Sequence, residues 1–149
     1  MPVEIVRRGA GKRFPCRQLG RIAGAILELV GQKKVELSLA LVGNAEMQKL
    51  NAKYRQKNYP TDVLSFGVDK KLAVQTRLLG DVIISVQKAA SQAKERGRAL
   101  DEEMVTLLIH GIVHLLGYDH ERSAKDARVM GRLEKKIHRQ LCERGLLTV

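Results

Sequence analysis

Three of the four histidines lie in one segment of eleven residues, HGIVHLLGYDH (110–120). On a helix His110 and His114 share one face, with Cβ atoms about 5–6 Å apart. Gly117 is placed to end that helix in a left-handed turn, so that His120 approaches from a second direction. Three imidazoles that converge in this way leave a fourth position open, as in catalytic rather than structural zinc sites.

We therefore predict a metal site at His110, His114 and His120. Zinc is the favoured ion, and another divalent transition metal is the alternative. A single histidine on an apolar helix would be interpreted more simply as a packed, hydrogen-bonded residue. Burying several unpaired imidazoles, however, would cost several kcal/mol.

Gly111 occupies the position at which the related protease motif has a glutamate. The spacing is H-G-x-x-H-x-x-G-x-x-H, whereas metzincin proteases have H-E-x-x-H-x-x-G-x-x-H and use the glutamate as general base. Gly111 has no side chain that can take a proton, which disfavours peptide hydrolysis by that route. Gly111 either lets a substrate or another backbone approach closely or is tolerated for helix packing, and both interpretations stay open.

The composition favours a polyanionic partner. Lys and Arg number 27 against 16 Asp and Glu, which gives a net charge of +11, and nucleic acid is the usual partner of such a protein. A basic protein without a nucleic-acid ligand is the alternative. The low aromatic content, 3%, argues against a base-stacking platform. We find no membrane-length apolar stretch and no signal-peptide pattern, so we expect a cytoplasmic protein with no membrane partner.

Hydrophobic periodicity predicts an α+β fold, in which a small mixed sheet of about four strands is covered by helices. One domain is expected over residues 1–149. Strands are predicted at 2–7, 35–42, 61–68 and 80–86, and a basic loop at 69–79. Helices are predicted over 17–30, 44–54, 85–97, 101–117 and from Ser123 onward, with the fourth one central and buried. The predicted helix N-caps are Asn44, Ser85 and, in a capping box with Asp126, Ser123.

The segments HGIVHLLGYDH (110–120), YRQKNYPTDVLSF (54–66) and LLGDVIIS (78–85) resemble the YbeY family of bacterial metal-dependent ribonucleases and rRNA maturation factors. The resemblance extends over residues 35–134. It implies an α+β fold with a zincin-like three-histidine site in a cleft beside the sheet, zinc at His110, His114 and His120, and a functional arginine at Arg55. Two positions depart from the family pattern at the cleft rim: Asn58, where Asp is frequent, and Gly67, where Pro is common.

The activity that the resemblance implies is cleavage of single-stranded RNA, in maturation of the small-subunit rRNA 3′ end and in ribosome quality control. A precursor rRNA and the ribosome or small-subunit proteins would be its partners. The oligomeric state stays open. Two alternatives remain: a non-catalytic, zinc-stabilised assembly factor that binds rRNA, and a metal-dependent hydrolase of another substrate.

Within this interpretation the catalytic candidates are Arg55 and His114. A guanidinium can bind two phosphate oxygens in a fork as negative charge develops on them. Ser65 either lines the cleft or ends a strand, and Asp119 either orients an imidazole or forms a turn. The general base is unassigned, since water on the metal and the 2′-hydroxyl of the RNA are both alternatives.

Overall fold

The computed structural model describes residues 3–32, 34–69, 71, 75–119 and 121–147. These residues form an α+β fold, as predicted. The elements in chain order are β1 (Val3–Arg7), a short 3-10 helix (Gly9–Arg13), α1 (Arg17–Leu29), β2 (Glu36–Val42), α2 (Asn44–Arg55), β3 (Val63–Gly67), β4 (Leu78–Ser85), α3 (Val86–Arg96), α4 (Leu100–Leu115) and α5 (Ala124–Glu143).

The four strands form one mixed sheet in the order β1-β2-β4-β3. β1, β2 and β4 are parallel neighbours, and β3 pairs antiparallel with β4. The prediction of a small mixed sheet is therefore confirmed. β3 is an edge strand of this sheet, so within the described residues only one of its two sides pairs with another strand. Its other side borders the space next to α4.

Alternation along β2 separates two hydrophobic clusters. Leu37, Leu39 and Leu41 join the larger cluster, which includes α1, α4 and α5, whereas Val42 packs with Met47 of α2 in a smaller one. α4 lies in the larger cluster, in which Met104, Leu108 and Ile112 are fully buried. The central position predicted for this helix is confirmed.

Two of the three predicted helix N-caps are confirmed, and one is wrong. The hydroxyls of Ser85 and Ser123 accept hydrogen bonds from the amides of Lys88 and Asp126, at 3.2 and 3.1 Å. Asn44 was predicted as the N-cap of α2, but Gly43 holds that position without a side-chain cap. The Asn44 Oδ1 atom accepts a hydrogen bond from the buried Ser85 hydroxyl, at 2.7 Å.

The predicted loop at 69–79 lies partly outside the described residues, at 70 and 72–74. Leu78 and Leu79 already belong to β4, which begins two residues earlier than predicted. Among the described helices, none combines the length and the apolar character needed to cross a bilayer.

Candidate active site

A cleft of about 410 Å³ lies beside the edge strand β3. Its walls come from β3, from α2 with the loop after it, and from α3, α4 and α5. Among its lining residues are Arg55, Ser65, Arg96, His110, His114 and Glu134. The cleft therefore gathers side chains from one strand and four helices. Two of these side chains, Arg96 and Glu134, were not predicted from the sequence.

α4 presents His110 and His114 to this cleft from adjacent turns, as the spacing predicted. Both residues are half-buried. The His110 Nδ1 atom lies 3.0 Å from the Glu134 Oε2 atom. Because a carboxylate only accepts hydrogen bonds, Nδ1–H of His110 is the donor in this contact. The same hydrogen bond raises the pKa of His110 above its ordinary value, against the opposing effect of burial.

Glu134, like Arg96, is a residue of this cleft that the sequence did not predict. It lies on α5, 24 residues after His110, and no local pattern connects the two positions. The only available signal is an acidic residue between Leu133 and Lys135, where the apolar face of α5 meets its basic face. A carboxylate that fixes the tautomer and ring orientation of a metal-ligating histidine is a common arrangement.

The third predicted ligand, His120, lies outside the described residues. The chain on either side of it has the predicted form: Gly117 adopts a φ of +103°, and its amide donates to the His114 carbonyl at 3.0 Å. The Asp119 Oδ1 atom accepts from the Glu121 amide at 2.8 Å, as in a turn. Within the described ranges, no three His, Cys, Asp or Glu side chains are grouped closely enough to hold a metal.

Arg55 reaches the cleft from α2, which ends at this residue. Gln56 follows in the left-handed conformation, with a φ of 58°. The buried Asn51 side-chain amide donates to the Tyr59 carbonyl at 2.9 Å. The backbone carbonyl of Asn51 accepts from the Lys57 amide at 3.2 Å. These bonds fix the start of the loop after α2 and hence the backbone at Arg55, whose side chain is exposed.

Gly111 faces the sheet. A Cβ atom on this residue would lie 2.7 Å from Val82 Cγ1 and 3.2 Å from Ser65 Oγ. The Ser65 hydroxyl donates to the Gly111 carbonyl at 3.1 Å, which ties β3 to α4. The space at Gly111 is thus filled by the sheet rather than by a substrate, and a glutamate there would meet Val82.

The predicted residues therefore separate into two groups. Arg55, Ser65, His110 and His114 line one cleft. Gly111 and Asp119 do not figure among the described residues of that lining. Fold and cleft together define an α+β protein with two histidines and an arginine in one cleft.

Residues 12–142 match the family model described as Endoribonuclease YbeY. The chain belongs to this family, and the resemblance found in its sequence is confirmed. It is 44% identical to Endoribonuclease YbeY of Sulfurihydrogenibium sp. (strain YO3AOP1) over 141 residues, which are 94% of this chain and 90% of the relative. It is 47% identical to Endoribonuclease YbeY of Persephonella marina over 135 residues, 90% and 86% of the two chains.

The fold is also similar to a solved structure. The solution structure of the Thermotoga maritima protein TM1509 superimposes with a TM-score of 0.63 at 28% identity. The match covers 91% of this chain and 85% of that protein. The arrangement of sheet and helices is therefore shared.

Proposed function

We propose that the protein is a zinc-dependent endoribonuclease that cleaves single-stranded RNA. The observation that carries the proposal is the placement of Arg55 and two histidines in one cleft, although they come from α2 and α4. Membership of a family whose relatives are named endoribonucleases supports the reaction class.

The donor set fits a zinc ion. His110 and His114 would hold it together with His120, and imidazoles with an open position suit zinc. Glu134 holds the His110 ring through Nδ1, as carboxylates commonly do for metal-ligating histidines. When bound, zinc would supply a Lewis acid that stabilises negative charge on the phosphate.

Arg55 would bind the phosphate that is cleaved. Within the part of the chain that the structure describes, no ion pair engages its guanidinium, so its five N–H donors face solvent and the cleft. A guanidinium matches two phosphate oxygens in a fork, and the match strengthens as charge develops on them. Arg55 therefore acts on the substrate, whereas Ser65 supports the wall by bonding to α4.

The physiological substrate in this proposal is a cytoplasmic rRNA precursor, cut near the 3′ end of small-subunit rRNA. Ribosome quality control and contact with small-subunit proteins belong to the same proposal. The net charge of +11 supports attraction of RNA. On α5, Arg128, Arg132, Lys135 and Arg139 are exposed along one face and extend the positive surface beyond the cleft.

The decisive experiment uses purified protein of measured zinc content and a single-stranded RNA that carries a precursor 3′ end. Wild type is compared with Arg55→Ala and His114→Ala, and folding is checked by circular dichroism. We expect Arg55→Ala to lower kcat/KM by about 10²–10³, because removing one donor to a developing oxyanion has this effect. Its zinc content should equal that of wild type.

Matched controls are Arg21→Ala, on the exposed face of α1, and His138→Ala, whose ring lies 3.8 Å from Cys142 Sγ. Both should cleave RNA as wild type does. Equal cleavage by all five proteins would indicate a contaminating nuclease and refute the proposed ribonuclease activity. Normal rRNA processing by folded Arg55→Ala would favour the passive assembly factor.

A further inference from the structure

Glu103 is a buried carboxylate that the proposed mechanism does not use. Its side chain is 0% exposed, and in the described part of the chain its Oε2 atom accepts no hydrogen bond. Burying a charged group is costly unless it is paired. Two arginines compensate it: Arg96 Nη1 lies 2.7 Å from Oε1, and Arg98 Nη1 lies 3.8 Å from Oε2.

The two arginines differ in what else they reach. Arg96 ends α3 and lines the cleft that contains Arg55, His110 and His114. Arg98, two residues later, lines a separate depression on the other side of Thr106. Both side chains are partly exposed, 50% and 39%. Pairing with a buried carboxylate therefore fixes Arg96 while leaving part of its guanidinium accessible in the cleft.

Glu103 and its two arginines retain both a positive charge and hydrogen-bond donors that can bind an anion. Two arginines against one carboxylate leave a net charge of +1 in this group. A guanidinium has five N–H donors, and Nη1 of Arg96 gives one to Glu103 at 2.7 Å. The remaining donors of Arg96 are held in a planar fork that suits a phosphate.

The position along α4 sets which phosphate Arg96 meets. Glu103 lies seven residues before His110 on the same helix, which is about 10 Å along the axis. The phosphate near the histidines and Arg55 is the one cleaved under the proposed function. Anchored at Glu103, the Arg96 guanidinium lies toward the other end of the cleft, where the RNA chain continues.

Resting on the proposed function, we propose that Arg96 binds the phosphate of a nucleotide flanking the scissile bond, and that Glu103 is its positioning residue. Arg96 would thereby add a second point of contact to Arg55. It would set the length and direction of single-stranded RNA in the cleft without touching the reacting atoms.

The test measures cleavage of a single-stranded RNA by the zinc-loaded, full-length protein at several salt concentrations. We expect Arg96→Gln to raise KM about tenfold, the effect of one charge-assisted hydrogen bond, with kcat within about twofold of wild type. The slope of log KM against log salt should fall by about 0.7, the value for one phosphate contact on a single strand. Arg96→Lys should restore the slope, because it keeps the cation.

Arg98→Gln is the matched control, because it removes the same charge and one of the two partners of Glu103. It should leave KM and the salt slope as in wild type. If Arg96→Gln fails to fold, the double variant Arg96→Gln with Glu103→Gln removes the unpaired carboxylate and should show the same rise in KM.

A second readout places the contact on the substrate. Replacing one flanking phosphate by an uncharged methylphosphonate should raise KM for wild type and have no further effect in Arg96→Gln. Equal changes in Arg96→Gln and Arg98→Gln, or an unchanged KM in folded Arg96→Gln, would overturn this inference alone. Wild type that neither binds nor cleaves RNA would refute the proposed function, and this inference with it.

Discussion

The two faces of the sheet are covered to very different depths, and each carries one half of the candidate site. Among the described residues, one face belongs to a cluster of 24 buried residues that includes apolar side chains of α4, the helix that carries the two half-buried histidines. The other face packs on α2 through a cluster of four, Val42, Met47, Leu64 and Ile83, and α2 ends at Arg55. The half with the histidines is therefore held by a deep core and the half with Arg55 by a shallow one.

The difference suits the two tasks. A metal ion would need ligands fixed by packing and by a carboxylate partner. The core around α4 supplies the packing, and Glu134 of α5 supplies the carboxylate. A phosphate clamp has to follow a flexible polymer, and segments with few buried contacts open and move most easily. The following variants test whether the two faces of the sheet behave independently.

The largest effect is expected from Gly111→Glu, which completes the protease motif. Its side chain would collide with Val82, which is fully buried, and would bury a carboxylate against the sheet. We expect the free energy of unfolding to fall by more than about 4 kcal/mol, measured by urea denaturation. Gly24→Ala, at a helical glycine with open space around it, should instead raise it by about 0.5–1 kcal/mol.

A stable Gly111→Glu protein that hydrolyses a peptide would show that the side chain at this position reaches the metal. In that case the deep face would be adaptable rather than rigid, and the comparison of the two faces would fail.

An intermediate effect is expected from truncating one fully buried side chain on each face, Leu108→Ala and Met47→Ala. Each should lower the free energy of unfolding by about 2–5 kcal/mol. Leu108→Ala should also weaken zinc binding, measured by competition with a chelating dye. Met47→Ala should leave zinc affinity unchanged and lower kcat/KM for RNA, because Arg55 loses its support.

Loss of zinc affinity in Met47→Ala as large as that in Leu108→Ala would contradict the separation of the two faces. Both measurements are made below the unfolding temperature of each variant, so that global unfolding does not enter either value.

The smallest effect is expected from Glu134→Gln, which keeps the size of the side chain and removes its charge. His110 would lose its charged acceptor, and zinc affinity should fall by about 10-fold, toward the lower end for such partners. Glu143→Gln, on the same helix and paired with Arg139, is the control and should bind zinc as wild type does. An unchanged affinity in Glu134→Gln would show that α5 contributes packing alone.

The features of this molecule that depend on local residue spacing could be predicted from the sequence. His110 and His114 share a helical face because they are four residues apart, and Gly117 ends the helix because a left-handed turn needs a residue without Cβ strain. Hydrophobic periodicity predicted a strand at 35–42, and β2 spans Glu36–Val42. The family resemblance, rather than spacing, selected Arg55 among 27 basic residues.

What the sequence could not supply are pairings between distant elements. Glu134 meets His110 only because α5 packs on α4, and its local pattern resembles that of any solvated helix face. Glu103 stands in a run of three acidic residues at 101–103, a pattern that favours a helix N-terminus, whereas its side chain is buried beside two arginines. Asn44 was assigned to a cap because its residue type fits, but the nearby Ser85 hydroxyl provides a hydrogen-bond donor that it accepts from instead.

The edge position of β3 has a consequence for association between copies of the protein. An open strand edge is a template on which the edge of another chain can pair and start aggregation. In the sheet formed by the described residues, β3 ends the strand order, and Arg55 and Lys57 line the same cleft as Val63–Ser65. Like charges at the same edge of a second copy repel it. The cations beside the cleft thereby also protect this edge from self-association.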